Sequence, residues 1–306
     1  MRGWLALTIA NESTADSNHN PCGKTEWSGS YAPTGKDWNV YCGDTREVLC
    51  RLPRNHYACV ITSPPYYWQR DYGVEGQIGI EPTVEGYVKA VCDVMDGVED
   101  VLNPEGVLFL NLGDTYYSGK GRPKGMDRKH NGRRFSTLRA VDTGGLGPPK
   151  KTLLGMPWRV TLAMIDRGWI LRSSIIWRRE NAVPEPNVRD RPCRTYEFVF
   201  LFAKARQYKF SRRTLRNHGV EDVWTIESQS KARREHPAVF PTELVERCLS
   251  IGNSGNGPVL DPFAGSGTVL RVALGMGMPA DGIDLNPVYC RSMAKELGRQ
   301  VKSRSG

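Results

Sequence analysis

The residues Ser63-Pro64-Pro65-Tyr66 set a hydroxyl, two prolines and a phenol side by side at the end of an apolar run, Ala58–Thr62. Consecutive prolines fix φ and remove N–H donors, so the turn is stiff and the carbonyl of Pro64 stays free to accept. The Ser63 hydroxyl and that carbonyl could together hold the two hydrogens of a flat exocyclic amine. Tyr66 offers a face for a base to stack on, as enzymes that extrude a base require. Held so, the nitrogen lone pair turns toward an electrophilic methyl, which is positioning and electrostatics rather than covalent catalysis. Alone, the tetrapeptide reads equally well as a Pro-rich strand-end turn with a buried tyrosine.

A second constellation changes that balance. Residues 258–268 read PVLDPFAGSGT, in which a strand ends at Asp261, a glycine turn follows and a helix begins at Thr268. Backbone N–H groups and a helix N-terminus meet a ligand's polar end in such a loop. Gly265 and Gly267 let the backbone approach closely, and Leu270 stands where a dinucleotide fingerprint has its third glycine. Asp261 offers a carboxylate suited to an amino-bearing ligand such as the methionine part of S-adenosylmethionine. A further strand, DGIDLN, brings Asp284 to its end about twenty residues on, where a carboxylate accepts from ribose hydroxyls. A purely structural glycine turn is the plain alternative, and Asp284 weighs against it.

The elements that must position these groups follow from hydrophobic runs. Ala58–Thr62, Gly106–Leu112, Ile170–Trp177, Glu197–Ala203, Pro258–Leu260 and Asp281–Leu285 read as buried strands. Val84–Leu102, Met156–Arg167, Thr242–Ile251, Thr268–Met276 and Asn286–Leu297 read as helices between them. The alternation predicts an α/β fold, a doubly wound, mainly parallel sheet of the seven-stranded type covered on both faces. The glycine loop comes late and the Pro-Pro turn early, so the order is expected to be circularly permuted. Residues 1–36 are polar and without periodicity from residue 11 on, and are expected to be a flexible arm, with order beginning near Trp38. The main domain then spans 37–298 and a tail 299–306.

Lys and Arg number 42 against 33 Asp and Glu in 306 residues, a formal charge of +9 that favours a polyanionic partner. Two polar stretches, 118–151 and 204–234, are too long for ordinary connections. The first carries Lys120, Arg122, Lys124, Arg128, Lys129, Arg133 and Arg134, interleaved with glycine. A charge run is commonly just a solvated face, but its place after the strand Gly106–Leu112 favours phosphate contact. The eight cysteines form no C-x-x-C pair and the five histidines are dispersed, so no metal site is expected. Scattered thiols, an opening apolar run at the short end for a signal peptide, and no run of membrane-span length point to a cytoplasmic protein. Trp68, Trp158 and Trp177 stay unassigned, since isolated aromatics more often pack in cores.

Taken together these residues resemble the amino-methylating DNA methyltransferases of the permuted (β) order from bacterial and phage modification systems. The motifs VYCGD, TSPPY, GVLFLNLGD, SIIWRREN, HPAVFPTEL, DPFAGSG and GIDLN occur in the expected sequence from about Trp38 to Leu297. The resemblance implies S-adenosyl-L-methionine as cofactor. Asp261, Pro262, Phe263, Ala264, Gly265, Gly267, Thr268, Asp284 and Asn286 would line its site, with Asp44 near the adenine ring. It implies that Ser63, Pro64, Pro65 and Tyr66 surround the target amine of a base flipped from double-stranded DNA. In that family Ser before Pro-Pro-Tyr usually goes with cytosine N4 and Asp with adenine N6, so cytosine N4 is expected and adenine N6 is the alternative. Asn there would point to relatives that methylate protein glutamine.

A covalent route to cytosine C5 needs a Pro-Cys nucleophile. Cys22 lies in the expected arm and Cys193 falls outside the order that route uses, so direct transfer is preferred. A methyltransferase-like DNA-binding protein without turnover is a further alternative, against which the intact tetrapeptide and Asp261 both argue. The family context implies a bacterial cell or phage-infected host, a possible cognate restriction endonuclease, and a monomer or homodimer.

Overall fold

The computed structural model describes residues 25–117, 148–182, 188–217, 221–227 and 240–299. Among them, nine strands form one sheet: β1 (Thr25–Tyr31), β2 (Lys36–Cys42), β3 (Tyr57–Thr62), β4 (Leu102–Leu112), β5 (Ile170–Arg179), β6 (Tyr196–Ala203), β7 (Val223–Ile226), β8 (Val259–Asp261) and β9 (Ala280–Asp284). The helices are α1 (Thr45–Leu49), α2 (Val84–Val101), α3 (Met156–Asp166), α4 (Arg212–Asn217), α5 (Thr242–Gly252), α6 (Thr268–Gly275) and α7 (Pro287–Arg299). The spatial order is β1-β2-β9-β8-β3-β4-β6-β5-β7. From β2 to β4 the strands run parallel, β6 is antiparallel to both neighbours, and β1 is antiparallel to β2.

Strands covered on two faces have no polar side to show, which is why β3 and β4 read as continuous apolar runs. Cys59 and Ile61 of β3 point into a core shared with α5, α6 and α7, whereas Val60 points into one shared with α1, α2 and α3. Helix α2 follows the same logic from its own period. Tyr87, Val91, Val94, Met95, Val98 and Val101 make one buried stripe, and the Thr83 hydroxyl caps its start by accepting from Gly86 N at 3.0 Å.

The winding changes face between β8 and β3. These neighbours are parallel, yet β8 leads into α6 on one side of the sheet and β3 leads toward α2 on the other. The chain leaves their carboxyl ends toward opposite faces, and the crevice between the two departing loops is the usual binding place in an open α/β sheet.

Several expected boundaries move. Residues 25–31 are no part of an arm, because they pair with β2 from Thr25↔Cys42 to Tyr31↔Lys36. The sheet therefore starts before residue 37, and among the described residues β1, β2 and β7 add to the six strands read from the apolar runs. The 204–234 stretch is not wholly an insertion, since it supplies α4 and the edge strand β7, which pairs with β5. Strand β4 begins at Leu102, directly on leaving α2, four residues ahead of Gly106. Residues 1–24, 118–147 and 300–306 lie outside the described residues, and with them Lys120, Arg122, Lys124, Arg128, Lys129, Arg133 and Arg134.

One glycine ties this packing to the site. Gly282 pairs with Val40 on one side and Asp261 on the other, and a Cβ there would lie 2.9 Å from Ala264 Cβ and 2.8 Å from Leu270 Cδ1. Ala264 cannot rotate away, so Gly282→Ala is expected to cost about 1–3 kcal/mol as an overpacked core. Urea denaturation measures it, and an unchanged midpoint would mean that the loop gives way freely.

Candidate active site

A cavity of about 490 Å³ opens at the carboxyl ends of the central strands. Ser63, Pro64, Pro65 and Tyr66 line one side of it. Asp44, Asp261, Phe263, Ala264, Gly265, Thr268, Asp284 and Asn286 line it as well. Pro262 and Gly267 do not. The Pro262 carbonyl instead accepts from Thr45 Oγ1 at 2.7 Å, locking the loop onto the start of α1. Gly267 has φ +74°, and a Cβ there would meet Met293 Cγ at 2.6 Å, so it serves the turn and its packing.

The two halves of the cavity are joined by one buried hydrogen bond. Thr62 Oγ1, on the last residue of β3, donates to Asp261 Oδ1, on the last residue of β8, at 2.8 Å. Phe263 N donates to the same oxygen at 3.0 Å. Asp261 Oδ2 has no partner among the described residues. Burial raises this carboxyl to about 7, despite the two donors.

Asp284 does similar work one strand over. Its Oδ2 accepts from Gly265 N and its Oδ1 from Asn286 N, each at 2.8 Å, and burial raises it to about 6. Each oxygen keeps one lone pair for a ligand hydroxyl. Asp44 caps α1 by accepting from Arg46 N at 2.9 Å and is paired with the Arg46 guanidinium. Burial opposes its ionisation, but the bonds from Arg46 outweigh burial and hold the carboxyl below the ordinary range.

The glycine loop differs from its expected use. Phe263 N, Ala264 N, Gly265 N and Gly267 N are all bound by the protein itself, to Asp261, Ile283, Asp284 and Ala264. A partly buried loop has to satisfy its own donors. The Asp261 and Asp284 carboxylates, by contrast, keep acceptor capacity toward the cavity.

Across the cavity, the carbonyl of Pro64 has no partner among the described residues, while that of Pro65 accepts from Tyr87 Oη at 2.9 Å. The Tyr66 ring lies against Gly113, where a Cβ would come within 2.5 Å of Cε2. Its hydroxyl donates to Glu197 Oε2 at 2.6 Å, has Asn111 Oδ1 at 3.0 Å, and receives a hydrogen bond from Ser63 Oγ at 3.3 Å. Burial, then the adjoining Glu197 carboxylate, push this phenol well above its ordinary value, so it stays protonated.

Asn111, Gly113, Arg179 and Glu197 join the site without standing out in the sequence. Register brings them together: Leu112 pairs with Phe198, so the next step outward sets Gly113 opposite Glu197. One signal was available, the single polar residue inside GVLFLNL. Trp177 lines the cavity and donates Nε1–H to the Ile226 carbonyl at 3.0 Å, whereas Trp158 packs edge-on against Phe198 and Phe200. No cluster of residues among those described could hold a metal ion. No helix among them is long and apolar enough to cross a membrane.

Strand ends that bring acidic side chains and a stiff Pro-Pro turn to one crevice make an enclosed ligand site of the kind α/β enzymes use. Residues 57–296 match the N6_N4_Mtase family, DNA methylase, and the chain belongs to that family. Type II methyltransferase M.XycI of Xanthomonas campestris pv. cyanopsidis is 39% identical over 268 residues, covering 85% of this chain and 88% of that protein. In fold, the chain is similar to the PvuII DNA methyltransferase (cytosine-N4-specific), with a TM-score of 0.67, 21% identity and 88% of each chain covered. A Thermus thermophilus protein solved in complex with S-adenosyl-L-methionine has a TM-score of 0.56 at 23% identity, covering 86% of this chain and 96% of that one.

The raised carboxyls carry a sign that can be checked without any ligand. Asp261 binds its proton more tightly in the folded protein than in the unfolded chain, so its contribution to stability is full below about pH 4. That contribution is lost as pH rises toward about 7. Wild type should therefore lose more stability between those limits than Asp261→Asn does. Urea midpoints at both pH values measure this, and parallel losses in the two proteins would place the Asp261 carboxyl in a wetter setting.

Proposed function

We propose that this chain methylates the exocyclic N4 of cytosine in duplex DNA, using S-adenosyl-L-methionine, by flipping the base and transferring the methyl directly. One observation carries the reading. Ser63 to Tyr66 and the Asp261 carboxylate face a single cavity and are tied together through Thr62. A cavity of about 490 Å³ is ordinary for a cofactor site.

The donor set fits the cofactor. Asp261, buried with one oxygen unshared, suits the ammonium of its methionine part, and Asp284 has lone pairs left for ribose hydroxyls. Asp44, ionised beside Arg46, would stand by the adenine end. When bound, S-adenosylmethionine would supply an electrophilic, sulfonium-borne methyl for the amine lone pair. The chain's own part is to aim that lone pair. Ser63 Oγ, whose proton already points to Tyr66, and the unpartnered Pro64 carbonyl accept the two amine hydrogens. The Tyr66 ring, backed by Gly113, offers the stacking face.

We read the late place of β8 and β9 in the chain, in the middle of the sheet, as circular permutation. The basic residues from Lys120 to Arg134 are assigned to DNA phosphates, and the likeness to bacterial type II methyltransferases supports a restriction-modification setting in a bacterial or phage-infected cell.

Nucleoside analysis tests the central claim. Purified protein, S-adenosylmethionine and unmethylated duplex DNA of mixed sequence, digested and read by mass spectrometry, should yield N4-methylcytosine. N6-methyladenine would show that Ser63 does not set the base. Neutralising Lys120, Arg122, Lys124 and Arg128 together should lower DNA affinity and reduce the salt slope by about 0.9 for each phosphate no longer neutralised. An unchanged slope would make that segment a solvated face.

A further inference from the structure

An amine nitrogen that gains a methyl group carries a positive charge and has to lose one N–H proton. Building on the reading of this cavity as an amine-methylating site, we infer that Glu197 takes up that proton through Ser63 and Tyr66. The hydrogen bonds already run in one direction. Ser63 Oγ donates to the Tyr66 hydroxyl at 3.3 Å, and that hydroxyl donates to Glu197 Oε2 at 2.6 Å. Asn111 Oδ1 lies 3.0 Å from the phenol oxygen, but an amide is not a base, and its Nδ2 is committed to the Phe198 carbonyl at 3.0 Å. It can hold the chain in line and cannot end it. Arg179 Nη1 stands 3.6 Å from the other carboxylate oxygen, Oε1, which leaves Oε2 to the phenol.

The transfer balances without any further reactant. One N–H bond of the methylated amine breaks, its electron pair stays on nitrogen, and the proton goes to Ser63 Oγ. The Ser63 proton moves to the Tyr66 oxygen and the Tyr66 proton to Glu197 Oε2. Both hydroxyls end as they began, the amine is neutral, and the carboxylate has become a carboxylic acid that later returns its proton to water. Concerted movement is required here, because burial beside Glu197 makes a free Tyr66 phenolate costly. Before any proton moves, the negative charge at the far end stabilises the positive charge growing on nitrogen, so the chain acts on the methyl-transfer step itself.

Glu197→Gln keeps an acceptor for Tyr66 and removes the basic site, which makes it the variant of choice. Single turnovers of the full chain with S-adenosylmethionine and duplex DNA, quenched and read as methylated nucleoside, should slow by about 10²-fold or more. Cofactor affinity by calorimetry should stay at the wild-type value, showing that the cavity is intact. The variant's rate should climb with pH as hydroxide replaces the missing acceptor, and Glu197→Asp should recover part of the activity. In mixed H₂O and D₂O, the native rate should bend with isotope content, as several protons move together, and the variant's should not. A Glu197→Gln rate and pH profile equal to wild type would overturn the relay. Equal losses of rate and cofactor affinity would overturn it too, by making Glu197 a structural prop. A native chain that methylates no amine on DNA would instead overturn the reading beneath it.

Discussion

Everything in the cavity hangs on the hydrogen bond from Thr62 Oγ1 to Asp261 Oδ1. It joins residues 199 positions apart, crosses the point where the sheet changes its winding, and lies fully inside the protein. A buried carboxylate without donors is expensive, and here the threonine and the Phe263 amide meet that cost on one oxygen. The result fixes two strand ends against each other while leaving Asp261 Oδ2 unshared. Because β3 comes early in the sequence and β8 late, the bond depends on long-range strand pairing. No short segment of the chain can hold the site by itself.

The acidic groups around the cavity share a residue type and differ in state. Asp44 has a guanidinium and stays charged, Asp284 has two backbone amides and sits at about 6, and Asp261 has a hydroxyl and an amide and sits at about 7. Desolvation pushes all three upward, and the partners decide how far each one goes. Near neutrality the Asp261 carboxyl is therefore only partly charged. A cationic ligand beside Asp261 favours the ionised form, so binding and proton release are linked there.

The central strands and most helices were legible because burial on two faces, or on one stripe of a helix, leaves a strong pattern in the residues. Strands β3, β5, β6 and β9 fall within two residues of where the apolar runs set them. The edges were not legible. Strand β1, TEWSGSY, alternates between exposed and partly covered positions up to the buried Tyr31 and is rich in small polar residues, so it looks like loop. Strand β7 has only four residues, of which Trp224 and Ile226 are buried, and a neighbour in space gives it its pairing. The loop motifs were visible as local strings. Glu197 was not, because its place comes from the register between β4 and β6, which no local string records, and Asn111 showed only as the one polar residue inside GVLFLNL.

That register explains why the turn at Ser63 can be stiff and still be aimed. Two prolines fix the backbone, but they do not by themselves set the direction of Tyr66. Direction comes from β4, whose Asn111 faces the hydroxyl and whose following Gly113 leaves room for the ring, and from β6, whose Glu197 accepts its proton. Beyond β6, Trp177 and Arg179 of β5 close the same side of the cavity, Arg179 from across the Glu197 carboxylate. The tetrapeptide thus supplies the reactive edge and three strands supply its orientation. A change at Gly113 or Glu197 is felt at the tetrapeptide through Tyr66 although neither residue belongs to the motif.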